Sequence, residues 1–154
     1  MKLISQAGCA MLLASFLLLF GCGTVDTSVD DTPDELPISD FLSMDFSGWN
    51  LNPPKEIQYV RQEEASEEVT ITDPETIRNV IQALQNITVG EEERMRYTDS
   101  DAFITFIFPE DKQITVSFEH GNLMIGDKLY KAGNTGPLFT ILNEALEATY
   151  ETNG

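Results

Sequence analysis

The sequence predicts an α+β domain: a twisted antiparallel sheet of about five strands with two helices on one face. Three observations lead there. Two segments carry apolar residues at helical spacing, Ile77, Val80, Ile81, Leu84 and Ile87 in the first and Leu138, Ile141, Leu142, Ala145, Leu146 and Tyr150 in the second. Between and before them lie short runs that alternate apolar and polar residues, the period of a half-buried strand. The only cysteines are Cys9 and Cys22, both far upstream of these runs, so a buried apolar core and not a set of crosslinks must hold the domain.

The chain opens with Met1 and Lys2, a short positive region, and continues into an apolar core of 11 residues, Ala10 to Phe20. That is the architecture of a signal peptide over residues 1–21. A membrane-spanning helix needs about 20 apolar residues, and counting back to Leu3 the run is broken by Ser5, Gln6 and Gly8.

From Gly23 to Asp40, "GTVDTSVDDTPDELPISD" is rich in Asp, Thr, Ser and Pro. It has too little apolar surface to order itself and reads, with Cys22, as a flexible acidic tether over 22–40 with a root-mean-square reach of roughly 25 Å. Residues 41–54 form an apolar arm in which Phe41, Met44, Phe46, Trp49 and Leu51 are too many large apolar groups for a solvated linker, while Gly48 and the Pro53-Pro54 pair oppose a long regular element. Two readings stay open for it: the arm packs over the domain, or Trp49 belongs to a contact surface for another protein.

The domain proper is expected over 55–150, with 151–154 as a tail. "EIQYVRQ" sets Ile57, Tyr59 and Arg61 on one face and reads as a strand. "EEASEE", Glu63 to Glu68, reads as a solvated turn and "VTIT" as a short strand. Asp73 as N-cap and Pro74 at the first helical position then open the first helix. After the polar connection "TVGEEERMRYTDSD", "AFITFIF" is apolar on both faces, as a strand in the middle of a sheet is. "QITVSFE" alternates, with Ile114, Val116 and Phe118 inward and Thr115, Ser117 and Glu119 toward solvent. Turns at His120-Gly121-Asn122 and Gly126-Asp127 complete an antiparallel meander through "LMI" and "KLYKA". The second helix closes the domain.

The composition bounds function. Once residues 1–21 are removed, eight basic residues face 26 acidic ones, a formal charge of −18. Such a chain is repelled by nucleic acid and by anionic lipid, which leaves basic proteins, peptides and cations as partners. No G-x-S-x-G elbow or H-E-x-x-H helix occurs. The single histidine, His120 in "FEHGN", reads as a hairpin-turn residue. "DSDAF", from Asp99, starts like a calcium loop with carboxylates at alternate positions, but Ile104 stands where such a loop needs glycine.

Leu19-Phe20-Gly21-Cys22 resembles the lipobox of bacterial lipoproteins, with an aliphatic residue three before the cysteine and a small one immediately before it. The resemblance implies cleavage between Gly21 and Cys22, diacylglycerol on the Cys22 thiol, and a lipid-anchored protein on the extracytoplasmic face of the cell membrane. The order of elements and the phrases "TITDPETIRNVIQAL" and "GDKLYKA" resemble small uncharacterised lipoproteins of Gram-positive bacteria of the YhfM-like kind, a family that itself implies no activity. The expectation is a non-catalytic binding or regulatory module of the cell envelope with no cofactor and with an envelope protein as partner. A small-solute or calcium-binding lipoprotein is the alternative, and a hydrolase the third reading.

Overall fold

The computed structural model describes residues 35–62, 65–93 and 100–153, all of them within one compact unit. A two-residue strand β1 (Leu36–Pro37) runs into a single-turn helix α1 (Ile38–Phe41), and a second short helix α2 (Phe46–Leu51) follows. Strands β2 (Glu56–Gln62) and β3 (Ser66–Ile71) come next, then helix α3 (Pro74–Gln85) and strand β4 (Thr88–Glu93). The meander follows as β5 (Ala102–Ile107), β6 (Gln113–Glu119), β7 (Asn122–Ile125) and β8 (Lys128–Gly133), and helix α4 (Gly136–Asn153) ends the fold.

The class is α+β, but an expectation of about five strands and two helices understates it: among the described residues eight strands form one antiparallel sheet in the order β1-β4-β8-β7-β6-β5-β2-β3, with four α-helices. Two of the additions have clear causes. β4 is built from "TVGEEE", which lacks an alternating apolar pattern, and it joins the sheet because β8 offers it both a ladder and counter-charges. Thr88 and Val89 face Gly133 and Ala132, and Lys131 and Lys128 reach Glu91 at 2.7 Å and Glu92 at 2.8 Å. At Gly133 a Cβ would stand 2.5 Å from the Thr88 hydroxyl, so this close approach requires glycine.

β1 and α1 come from the stretch expected as tether. Leu36 and Pro37 pair with Val89 and Thr88, the Ile38 N–H donates to the Ile87 carbonyl at 3.0 Å, and Ile38 is wholly buried. The fold therefore reaches back at least to Leu36, and a tether ending at residue 40 is too long.

The core lies on one face of the sheet. Ile57, Tyr59, Val69, Ile71, Ala102, Ile104, Phe106, Val116, Phe118 and Leu123 meet the α3 stripe of Ile77, Val80, Ile81 and Leu84 and the α4 residues Leu138, Leu142 and Leu146. α3 begins where Asp73 caps it, the carboxylate accepting the Thr76 N–H at 2.8 Å. β5 sits between β6 and β2, as its two apolar faces require. The β6–β7 hairpin has a two-residue loop in which His120 (φ 47°) and Gly121 (φ 80°) are both left-handed, the geometry that matches strand twist. The other face is not simply solvated: Val60, Phe103, Ser117, Met124 and Leu129 follow one another across the ladder, and Met124 and Leu129 are buried.

Leu84 and Leu142 are fully buried in this layer. Truncating either to Ala should cost about 2 to 5 kcal/mol, read as a lower urea midpoint in a single cooperative transition that chelator leaves in place. The Asp73 carboxyl is held below its ordinary value of 3.8, first by the Thr76 N–H and then by the Thr76 hydroxyl. A group whose folded pKa is depressed stabilises the fold above its unfolded pKa and loses that contribution as pH falls through the folded value. Asp73→Ala should thus lower the melting temperature at neutral pH, and the gap to the parent should close in acid.

Candidate functional site

Three cavities on the described surface have polar side chains in their lining. The first is a groove of about 280 Å³ between α2 and the first half of α3. The Asp45 cap sets the start of α2, its carboxylate accepting from the Ser47 and Gly48 N–H groups at 3.1 and 3.2 Å and from the Ser47 hydroxyl. These bonds, the Ser47 hydroxyl foremost, hold the Asp45 carboxyl below its ordinary range. The helix carries Trp49 against Phe46, Phe106 and Phe108 at ring separations of 4.7 to 5.0 Å. Pro53 and Pro54 then turn the chain into Lys55 at the head of β2, and α3 supplies Ile77, Arg78 and Ile81 from across the groove. The floor is apolar, the rim carries two cations.

The second is a smaller cavity of about 180 Å³ between β2, the start of β5, the β6–β7 turn and α4. The buried Tyr59 hydroxyl donates to Asn143 Oδ1 at 3.2 Å, and the Arg61 guanidinium reaches the same oxygen at 3.3 Å while also gripping Glu67. At its edge Asp101 accepts the His120 N–H at 2.8 Å and faces His120 Nδ1 at 3.1 Å. This network ties β2, β3 and α4 to one another, and Asp101 secures a left-handed histidine that would otherwise be strained. Its groups serve the fold. A third cavity, of about 550 Å³, lies on the other side of Trp49 with Asp45, Phe108, Glu110 and Lys112 around it.

The residues singled out by sequence fall as follows. Gly21 and Cys22 lie outside the described residues, as do Glu63, Glu64 and Asp99. Trp49 is only 7 % exposed, so most of its ring surface is spent on the core, and the apolar arm packs over the domain. His120 occupies the expected hairpin turn. Phe103 and Ile104 belong to a paired strand, a conformation that no calcium loop adopts, and among the described residues no three His, Cys, Asp or Glu side chains converge on a point. Glu91 and Glu92 are partners of Lys131 and Lys128 rather than free acids. The Lys131 ammonium holds the Glu91 carboxyl low, and the two lysines are raised in return.

Sequence reasoning missed Lys55 and Arg78, which share the groove although 23 positions separate them in the chain. It also placed Glu119 toward solvent, whereas Glu119 is 7 % exposed and its Oε2 has no hydrogen-bond partner among the described residues. An unpartnered buried carboxylate oxygen costs more than a neutral group of the same shape. Glu119→Gln and Glu119→Met should each fold at least as stably as the parent, with Met gaining about 1 kcal/mol or more, measured from urea midpoints at neutral pH. A large loss in both would show that the carboxylate is paired after all.

No protein-family model, curated protein or solved structure matches the chain, so the likeness to YhfM-like lipoproteins rests on its residues alone.

Proposed function

We propose that this chain is a lipid-anchored module on the extracytoplasmic face of the cell membrane that binds a neighbouring envelope protein without chemical turnover. One observation carries the reading: Leu19-Phe20-Gly21-Cys22 directly follows the apolar run Ala10 to Phe20. Lipid on Cys22 would leave 13 residues up to Glu35, at most roughly 45 Å of extended chain, so membrane proteins would be the domain's most concentrated neighbours. No helix among the described residues is long and apolar enough to cross a membrane.

The acidic surface favours a basic partner. β3 is an edge strand with Ser66, Glu68 and Thr70 exposed, and acidic side chains along an open strand edge both repel other acidic chains and attract a basic segment. A second reading, binding of a small solute, is favoured by the groove with its apolar floor and two cations.

Fractionation tests the anchor. Wild-type protein should stay with membranes after a high-salt wash and carry acyl mass on Cys22, and Cys22→Ala should be released; retention of the variant as firm as wild type would refute lipidation. Partner capture tests the rest. The bound protein should be basic, and its association should slow several-fold between low and physiological salt, whereas a salt-independent rate would remove the acidic surface from the account.

A further inference from the structure

We infer that the groove between α2 and α3 is a binding site for a small organic monocarboxylate whose body is a single ring or a short aliphatic chain. The inference deepens the small-solute reading and is independent of the anchor. Size comes first: about 280 Å³ lies at the low end for ligand sites, too small for a large metabolite or a folded segment. The floor consists of Trp49, Pro54, Ile77 and Ile81, all buried, so an apolar body would meet rings and methyl groups.

Charge then selects the head group. In a chain of formal charge −17, six Lys or Arg side chains are described, and two of them line this one groove. The other four are engaged elsewhere: Arg61 grips Glu67, Lys128 and Lys131 pair with Glu92 and Glu91, and Lys112 lies 5.8 Å from the centre of the Phe108 ring. Arg78 makes no ion pair or hydrogen bond with any described residue; its field falls on Asp73 as one of the weaker influences there. Lys55 pairs with Asp111 at 3.1 Å, but the two side chains are 50 % and 89 % exposed, and so open a pair holds weakly in water. To reach into the groove the ammonium would exchange Asp111 for the ligand, a change that so open a pair opposes only weakly. A guanidinium can grip a carboxylate through two parallel N–H bonds, with Lys55 as the second charge.

The same charges reject other occupants. Two cations on the rim disfavour a cationic ligand, and the strongly negative field of the whole chain repels polyanions such as nucleotides far more than a single carboxylate.

Trp49 is the only tryptophan in the chain and forms one wall of the groove, so its fluorescence reports occupancy. The full chain in detergent solution, where it need carry no lipid, would be titrated with 3-phenylpropionate and, in parallel, with the neutral 3-phenylpropionamide. The acid should give a saturable change in Trp49 emission and the amide a much weaker one. Arg78→Gln should weaken the acid by about tenfold, the loss of one charged hydrogen-bonding partner, while Arg78→Lys should fall between. Because Trp49 also borders the cavity that contains Lys112, Lys112→Gln serves as the control and should bind as wild type does. Arg78 is on the exposed side of α3, so its variants should keep the parent melting temperature, which is measured alongside. No saturable change up to millimolar acid, equal binding of acid and amide, or undiminished binding by a folded Arg78→Gln overturns the site. Membrane retention through Cys22 and partner capture are read separately, so failure here leaves the anchoring proposal standing.

Discussion

Burial of one apolar layer between the sheet and helices α3 and α4 is the constraint to which the rest of this fold is fitted. Phe106, Phe118, Leu84, Leu138 and Leu142 have no exposed surface at all, and each such side chain contributes about 1.5 to 3 kcal/mol relative to exposure. Elements that bring apolar residues to the layer can break local rules in return. α2 keeps Gly48 in its middle, a residue that weakens a helix, because Trp49 then reaches Phe106 and Phe108 while Phe46 packs on Trp49. The cap from Asp45 supplies the start that helix propensity does not.

The acidity of the chain is organised around the open boundaries of the sheet. β3 leaves one side unpaired and carries Glu67 and Glu68; β4 is covered by β1 only at Thr88 and Val89 and then presents Glu91, Glu92 and Glu93. Unpaired strand edges invite pairing between copies, and charged side chains are a standard protection. On β4 the acids are balanced by Lys128 and Lys131 from the neighbouring strand. On β3 only Glu67 has such a partner, in Arg61.

What was legible in the sequence was whatever depends on neighbours along the chain. The Asp73-Pro74 start and the stripe Ile77, Val80, Ile81, Leu84 place α3 without ambiguity, and the alternation in β5 and β6 with turns at Gly121 and Gly126 gives the meander. β1, β4 and α1 were not legible, because their stability comes from partners far away in sequence: Ile38 is held by Ile87, and Glu91 and Glu92 by lysines about 40 and 36 positions on. The same reason hid the groove. Lys55 has value there only because Pro53 and Pro54 turn it beside a helix that begins at Pro74. Glu119 escaped because alternation specifies which face a residue takes and not whether that face is wet. The resemblance at Leu19 to Cys22 is of another kind, contained within four residues and lying outside the described ones.

Trp49 joins the two halves of the argument. Its ring packs on Phe106 and Phe108 and closes the core, and it also walls the groove that holds Lys55 and Arg78. A ligand seated there would contact the residue that fastens the arm 41–54 to the sheet. Binding to the folded state alone adds RT ln(1 + [L]/Kd) to stability, about 2.7 kcal/mol at a hundredfold excess over Kd. Part of that gain would fall on the arm, since its detachment from the core would dismantle one side of the groove. Backbone amides of α2 should therefore gain hydrogen-exchange protection from ligand by at least as large a factor as those in the middle of β5, whose protection is set by opening of the whole core. A groove formed only by surface side chains, with no coupling to the arm, would leave the α2 amides unchanged while occupancy rose.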